Sequence, residues 1–140
     1  MAEFSATYVQ QVAANANAVF TETPVSPKSC IVHREGSGVI TLRGNTNQCF
    51  ARYLVVFVGN IAIPTGGTVG EISIAISVNG EALGPSTATV TPAAVDNFFN
   101  VSAFAYIEVP RNCCVNIGVK NINTQTIELS NANIAVTRVA

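Results

Sequence analysis

The sequence predicts an all-β sandwich or barrel, and three observations carry that reading. From Val19 onward, short apolar segments recur at the spacing of a strand-and-turn protein. The breaks between them are turn residues, and no helix-period pattern interrupts the series. Eight or nine segments are expected, at 19–23, 30–35, 38–43, 50–63, 71–78, 82–90, 99–109, 114–120 and 126–139, the last either continuous or interrupted at Asn131. At 140 residues the chain fits one domain, which can bury roughly two thirds of its unfolded surface around one core.

Residues 1–18 precede this series and form a separate N-terminal arm, leaving the sandwich domain to 19–140. Tyr8, Val9 and Val12 fall at loosely helical spacing among Ala, Asn and Gln, which gives a short helix or an extended segment. With Phe4 they are the candidate docking residues of the arm. Glu35-Gly36-Ser37-Gly38 joins the segments at 30–35 and 38–43. The long segment at 50–63 is apolar on both sides, with Tyr53, Val55 and Phe57 on one and Leu54, Val56 and Val58 on the other. One core cannot use both sides of an antiparallel strand, so the second must be covered by another layer, another subunit or a tail.

Thr65-Gly66-Gly67 breaks that run, and the segment at 71–78 then alternates cleanly. Ile72, Ile74, Ile76 and Val78 share an inward face, leaving Ser73, Ala75 and Ser77 on a wet one. Asn79-Gly80 can supply the two positive φ angles of a tight hairpin into 82–90. In 99–109 the residues Val101, Ala103, Ala105, Ile107 and Val109 form one face, and Phe104 and Tyr106 lie on the other with Ser102 and Glu108. Large rigid rings on a second face suit the centre of an interface. Pro110-Arg111-Asn112 ends this run before Cys113 and Cys114 open the next.

Only seven basic and eight acidic side chains are present, 11% of the residues against about a quarter in typical soluble domains. A neutral polar surface suits a protein covered by neighbours or exposed to harsh surroundings. The net charge of −1 offers no footprint for nucleic acid. The longest apolar stretch is too short to span a membrane and is interrupted by Gly59-Asn60. Met-Ala-Glu-Phe-Ser lacks the basic start and apolar stretch of a secretory signal, so the expectation is a mature chain or one made in a cytoplasm.

Cys30, Cys49, Cys113 and Cys114 are disulfide candidates with three possible pairings, or in a reducing compartment four small buried hydrophobes. Adjacent on a strand, Cys113 and Cys114 are expected to point to opposite sides and to have different partners. His33 lies three residues after Cys30, which places the two side chains on opposite faces. One His with scattered Cys lacks the close pairs of a zinc site, and the dispersed carboxylates suit neither calcium nor a glycosidase pair. No nucleophile elbow or phosphate loop occurs, so the expectation is a protein with no catalytic site, metal or cofactor.

The runs YLVVFVGNIAIPTGG from Tyr53, IAISVNGE from Ile74, FNVSAFAYIEVP from Phe99 and IELSNANIAVTRV from Ile127 resemble the bacterial C1q/TNF-like jelly rolls. Those are the C-terminal heads of collagen-like exosporium glycoproteins, with related domains in phage structural proteins. The likeness covers residues 19–140 and implies a jelly-roll β-sandwich of about eight to ten antiparallel strands that trimerises with one sheet of each subunit facing a three-fold axis. By position, Tyr53, Val55 and Phe57 match the family's strand C, Phe104 and Tyr106 its strand F, and Ile134 and Val136 its last strand. These are the subunit-interface candidates, and either alternate face of each strand can meet the axis. The chain lacks a Gly-X-Y stalk, and its four cysteines are not a family feature.

The expected function is a non-enzymatic homotrimer on an extracellular particle, most specifically a phage capsid decoration or head-fibre protein docked to a capsid or surface-layer protein by residues 1–18. A spore, cell-surface or fibre-forming protein of the same fold is the alternative. A glycan or receptor-binding module is the third reading, although the loops around Gly66, Asn97 and Asn123 offer mostly amides and small residues.

Overall fold

The computed structural model describes residues 1–27 and 30–140. Twelve strands are found among them: β1 (Ala2–Ala6), β2 (Gln10–Val12), β3 (Glu22–Val25), β4 (Ile31–His33), β5 (Ile40–Arg43), β6 (Phe50–Ala62), β7 (Ile72–Val78), β8 (Glu81–Ala82), β9 (Ala88–Val90), β10 (Phe99–Pro110), β11 (Cys114–Asn121) and β12 (Ile127–Arg138). They form two six-stranded antiparallel sheets. One runs β10-β6-β12-β1-β3 with β2 also paired to β12, and the other runs β4-β5-β11-β7-β8 with β9 also paired to β7. The inner faces meet in one apolar cluster, so the molecule is a two-layer jelly-roll sandwich.

Alternation decides which side chains enter that cluster. Along β6, Ala51, Tyr53, Val55, Phe57 and Ile61 point inward and are fully buried. Along β10, Val101, Ala103, Ile107 and Val109 also point inward and are buried. In β12 the inward series Ile127 and Leu129 resumes as Ala132, Ile134 and Val136. The phase shift falls at Asn131, which has φ 50° and occupies a bulge in the pairing with β6. One extra residue returns the apolar set to the core, so the strand continues through the position where an interruption was a possibility.

The separate arm expected over residues 1–18 is not what forms. β1 lies between β12 and β3, and Ala2, Phe4 and Ala6 are fully buried in the core. Val12, on β2, is 4% exposed, and only Tyr8 and Val9 of the four docking candidates are on the surface, in the β1–β2 turn. The period-two series Ala2, Phe4, Ala6 outweighs the loose helical spacing because it can add a strand to a sheet already built.

Two further expectations change. The segment at 82–90 is split into β8 and β9 by a 3-10 turn at Gly84–Ser86, where Pro85 fixes φ and has no N–H for a ladder. The outer side of β7 is not wet: Ser73 is 8% exposed, Ala75 0% and Ser77 1%. Lys120 pairs with Ala75 and reaches back to donate to the Gly80 carbonyl at 3.0 Å, and the Asn123 amide brackets the backbone of Ser73 through its N–H (3.0 Å) and C=O (2.8 Å). The Asn79-Gly80 hairpin forms as expected, with φ of 52° and 88°, and Asn79 Oδ1 accepts the Asn116 N–H at 3.0 Å.

Candidate functional site

With the core filled by one side of β6, β10 and β12, the opposite side of the same sheet is the surface feature that lacks a covering layer. Phe104 and Tyr106 project from it and are 63% and 64% exposed. Register places Phe104 beside Val56 and then Ala135, and Tyr106 beside Leu54 and then Thr137. Ser102, Val58 and Asn133 form the neighbouring row, with Val58 exposed. Directly opposed side chains across an antiparallel pair stand about 5 Å apart, so Phe104, Tyr106, Leu54, Val56 and Val58 form an apolar patch, with Ser102, Asn133 and Thr137 at its margin.

Polar groups bound it at both ends. Arg52 Nε donates to Glu108 Oε2 at 2.9 Å, an exposed ion pair that positions side chains more than it stabilises the fold. At the other end Asn100 Nδ2 donates to Asn60 Oδ1 at 3.3 Å, and toward β1 Asn133 Nδ2 donates to Glu3 Oε2 at 3.1 Å. An apolar centre with a hydrogen-bonded rim is the anatomy of a protein interface. Beside it, Leu83, Pro85 and Ser86 face Phe104, Ala105 and Tyr106 across a groove of about 390 Å³.

Five of the seven interface candidates are elsewhere. Tyr53, Val55, Phe57, Ile134 and Val136 are fully buried within this subunit and cannot meet another copy. Tyr53 instead donates its hydroxyl to the Arg43 carbonyl at 2.6 Å, and burial, with the nearby Cys30, pushes the phenol above its usual range and keeps it protonated. Only Phe104 and Tyr106 lie on the free face, where their cross-strand partners are Val56 and Leu54, with Val58 in the next row. The missed signal was parity: Arg52 and Asn60 share the phase of Leu54, Val56 and Val58, and a charge and an amide mark the solvent side.

All four cysteines are free, with Cys30 half-buried and Cys49, Cys113 and Cys114 exposed. Cys30 packs against the core as a free thiol, whereas Cys49, Cys113 and Cys114 do not, and Cys113 and Cys114 have no disulfide partners within the chain. His33 is a structural residue: Nε2 lies 2.9 Å from the Ser37 carbonyl and the ring sits 4.5 Å from that of Phe4. Its Nδ1 is buried without a hydrogen-bond partner among the described residues. Among the described residues, no three His, Cys, Asp or Glu converge to hold a metal.

Folding joins one carboxyl pair that spacing did not single out. Asp96 accepts from Thr65 Oγ1 at 2.6 Å and lies against Glu128, whose carboxyl is raised by burial, by hydrogen bonding to Asp96 and by that residue's negative charge.

A scan against protein-family models and a search of curated proteins each found no match. Solved structures do match along nearly the whole chain. The globular domain of zebrafish complement 1qA protein is similar with a TM-score of 0.64 at 9% identity, over 96% of this chain and 94% of that one. Eiger TNF from S. frugiperda is similar with a TM-score of 0.67 at 13% identity, over 99% and 91%. Murine APRIL is similar with a TM-score of 0.58 at 9% identity, over 95% of each chain. The fold is therefore that of the C1q and TNF domains.

Proposed function

We propose that the protein is a non-catalytic structural subunit that assembles with itself as a homotrimer through the outer face of β10, β6 and β12. The observation that carries this reading is the pair Phe104 and Tyr106, 63% and 64% exposed at the centre of an apolar surface with a polar rim. A monomer gains nothing from leaving two large rings in water, whereas covering the exposed part of each removes on the order of 100–150 Å². Their strand is a sheet edge, so a neighbour that meets the face also meets the groove against Leu83 and Pro85. Face-to-edge contact is heterologous, and it closes into a ring when the rotation is one third of a turn.

The setting we propose is the surface of an extracellular particle, a virion before a spore or cell surface. The sparse charge of the chain and its resemblance to phage and exosporium jelly rolls support it. Docking through residues 1–18 has no place in this reading, since β1 is an interior strand.

Replacing Phe104 and Tyr106 together by Glu tests the face. The expected result is a single-chain mass in solution with far-UV circular dichroism unchanged, because neither side chain enters the core. An assembly that survives the double substitution would contradict the proposal. For the setting, the protein is expected among the components of purified particles and on their surface by antibody labelling.

A further inference from the structure

Free cysteine is among the most buried residue types, and here three of four are exposed. They are far apart in sequence, yet one end of the sandwich collects them. Arg43 N–H donates to the Cys30 carbonyl at 2.9 Å, Arg43 pairs with Cys114, Gly44 N–H donates to the Cys113 carbonyl at 2.8 Å and Arg111 N–H donates to the Cys49 carbonyl at 3.0 Å. The backbone of the same end also carries Arg43, Arg52, Arg111 and Arg138, and Glu108 there is already paired with Arg52. Arg138 donates to Cys30 Sγ at 3.4 Å and to the Asn45 carbonyl at 2.8 Å, which ties down the half-buried thiol and leaves the other three outside.

Cys49 immediately precedes β6, and Cys113 follows the turn that ends β10. Those strands carry the aromatic face, so copies meeting through it gather these thiols at one end of the assembly. We propose that this end is an interchain disulfide site, joining Cys49 of one copy to Cys113 of its neighbour, with a low-molecular-weight disulfide as oxidant. The proposal rests on the assembly face described above.

The Cys113 thiol loses its proton and its thiolate attacks one sulfur of the small disulfide, forming a mixed disulfide and expelling one small thiolate. The neighbour's Cys49 thiolate then attacks the Cys113 sulfur, forming the interchain bond and expelling the second. Two protein thiols are oxidised, one disulfide is reduced to two thiols, and the two protons end on the released thiols. The arginines favour an anionic oxidant such as oxidised glutathione.

The test incubates the reduced full chain with oxidised glutathione, blocks remaining thiols by alkylation and runs a non-reducing denaturing gel. Bands at two and three times 14.6 kDa are expected, collapsing with dithiothreitol, and peptide mapping is expected to find Cys49 joined to Cys113. C49S/C113S is expected to lose the ladder and C30S to keep it. Monomer bands carrying only glutathione adducts or an intrachain bridge would overturn the proposal. Light scattering in reductant separates the two readings. A trimer there with no interchain bond after oxidation overturns the disulfide alone, whereas a monomer overturns the assembly and with it the disulfide that rests on it.

Discussion

Tyr53 shows how one side chain can carry two opposite readings. Its ring belongs to the core, and its hydroxyl caps the Arg43 carbonyl at 2.6 Å close to the end of β5. Tyr53→Phe removes the donor while keeping the ring, so a loss of about 1–2 kcal/mol is expected in urea unfolding. Because burial raises the phenol above its unfolded value, its contribution is fully present below pH about 10 and is lost as pH rises through the folded value. A transition midpoint in Tyr53→Phe equal to that of the parent would show the hydroxyl to be idle. At this scale the sequence was half legible. Phe104 and Tyr106 stand between Ser102 and Glu108 and can be placed outward from alternation alone. For β6 both sides are apolar, and only the phase of Arg52 and Asn60 separates core from surface.

Among the elements, β1 was the least visible and is among the most consequential. Its Ala-rich composition gives weak strand propensity, and its inward face is only Ala2, Phe4 and Ala6. Tertiary pairing on both edges decides its state. Phe4→Ala is expected to cost about 3–5 kcal/mol, and deletion of residues 1–6 is expected to abolish cooperative thermal unfolding, not to release a trimmed but intact domain. A deletion variant that melts like the full chain would contradict the interior placement. The strands from β4 to β7 and β10 to β12 were legible because turn residues bound each apolar segment there. The split at Pro85 is a local effect that the residue itself signals, whereas the covered outer side of β7 depends on Lys120 and Asn123 reaching in from distant positions, which periodicity does not contain. At the start of β12, Glu128 titrates above the usual carboxylate range, chiefly through burial and then through Asp96. Its contribution is therefore present at pH below the ordinary glutamate value and is lost as pH rises through the raised one. Thermal melts of Glu128→Gln are expected to lose that part of the pH dependence.

The whole molecule is organised by one inequality: its first sheet has more apolar surface than its core can use. The second sheet meets the core with Ile72, Ile74, Ile76, Ile117 and Val119, while the first turns Leu54, Val56, Val58, Phe104 and Tyr106 away from it. In the proposed assembly the same surplus is covered by neighbouring copies, and the thiols near the ends of β6 and β10 would be brought together. Sequence displayed the surplus but not its direction, since register between strands is what assembles the rows across β10, β6 and β12. Sedimentation velocity of the unmodified chain in reductant, over a dilution series, measures the claim most directly. A species of three times 14.6 kDa that dissociates only on dilution is the result expected, and a single species of 14.6 kDa at every concentration would contradict it.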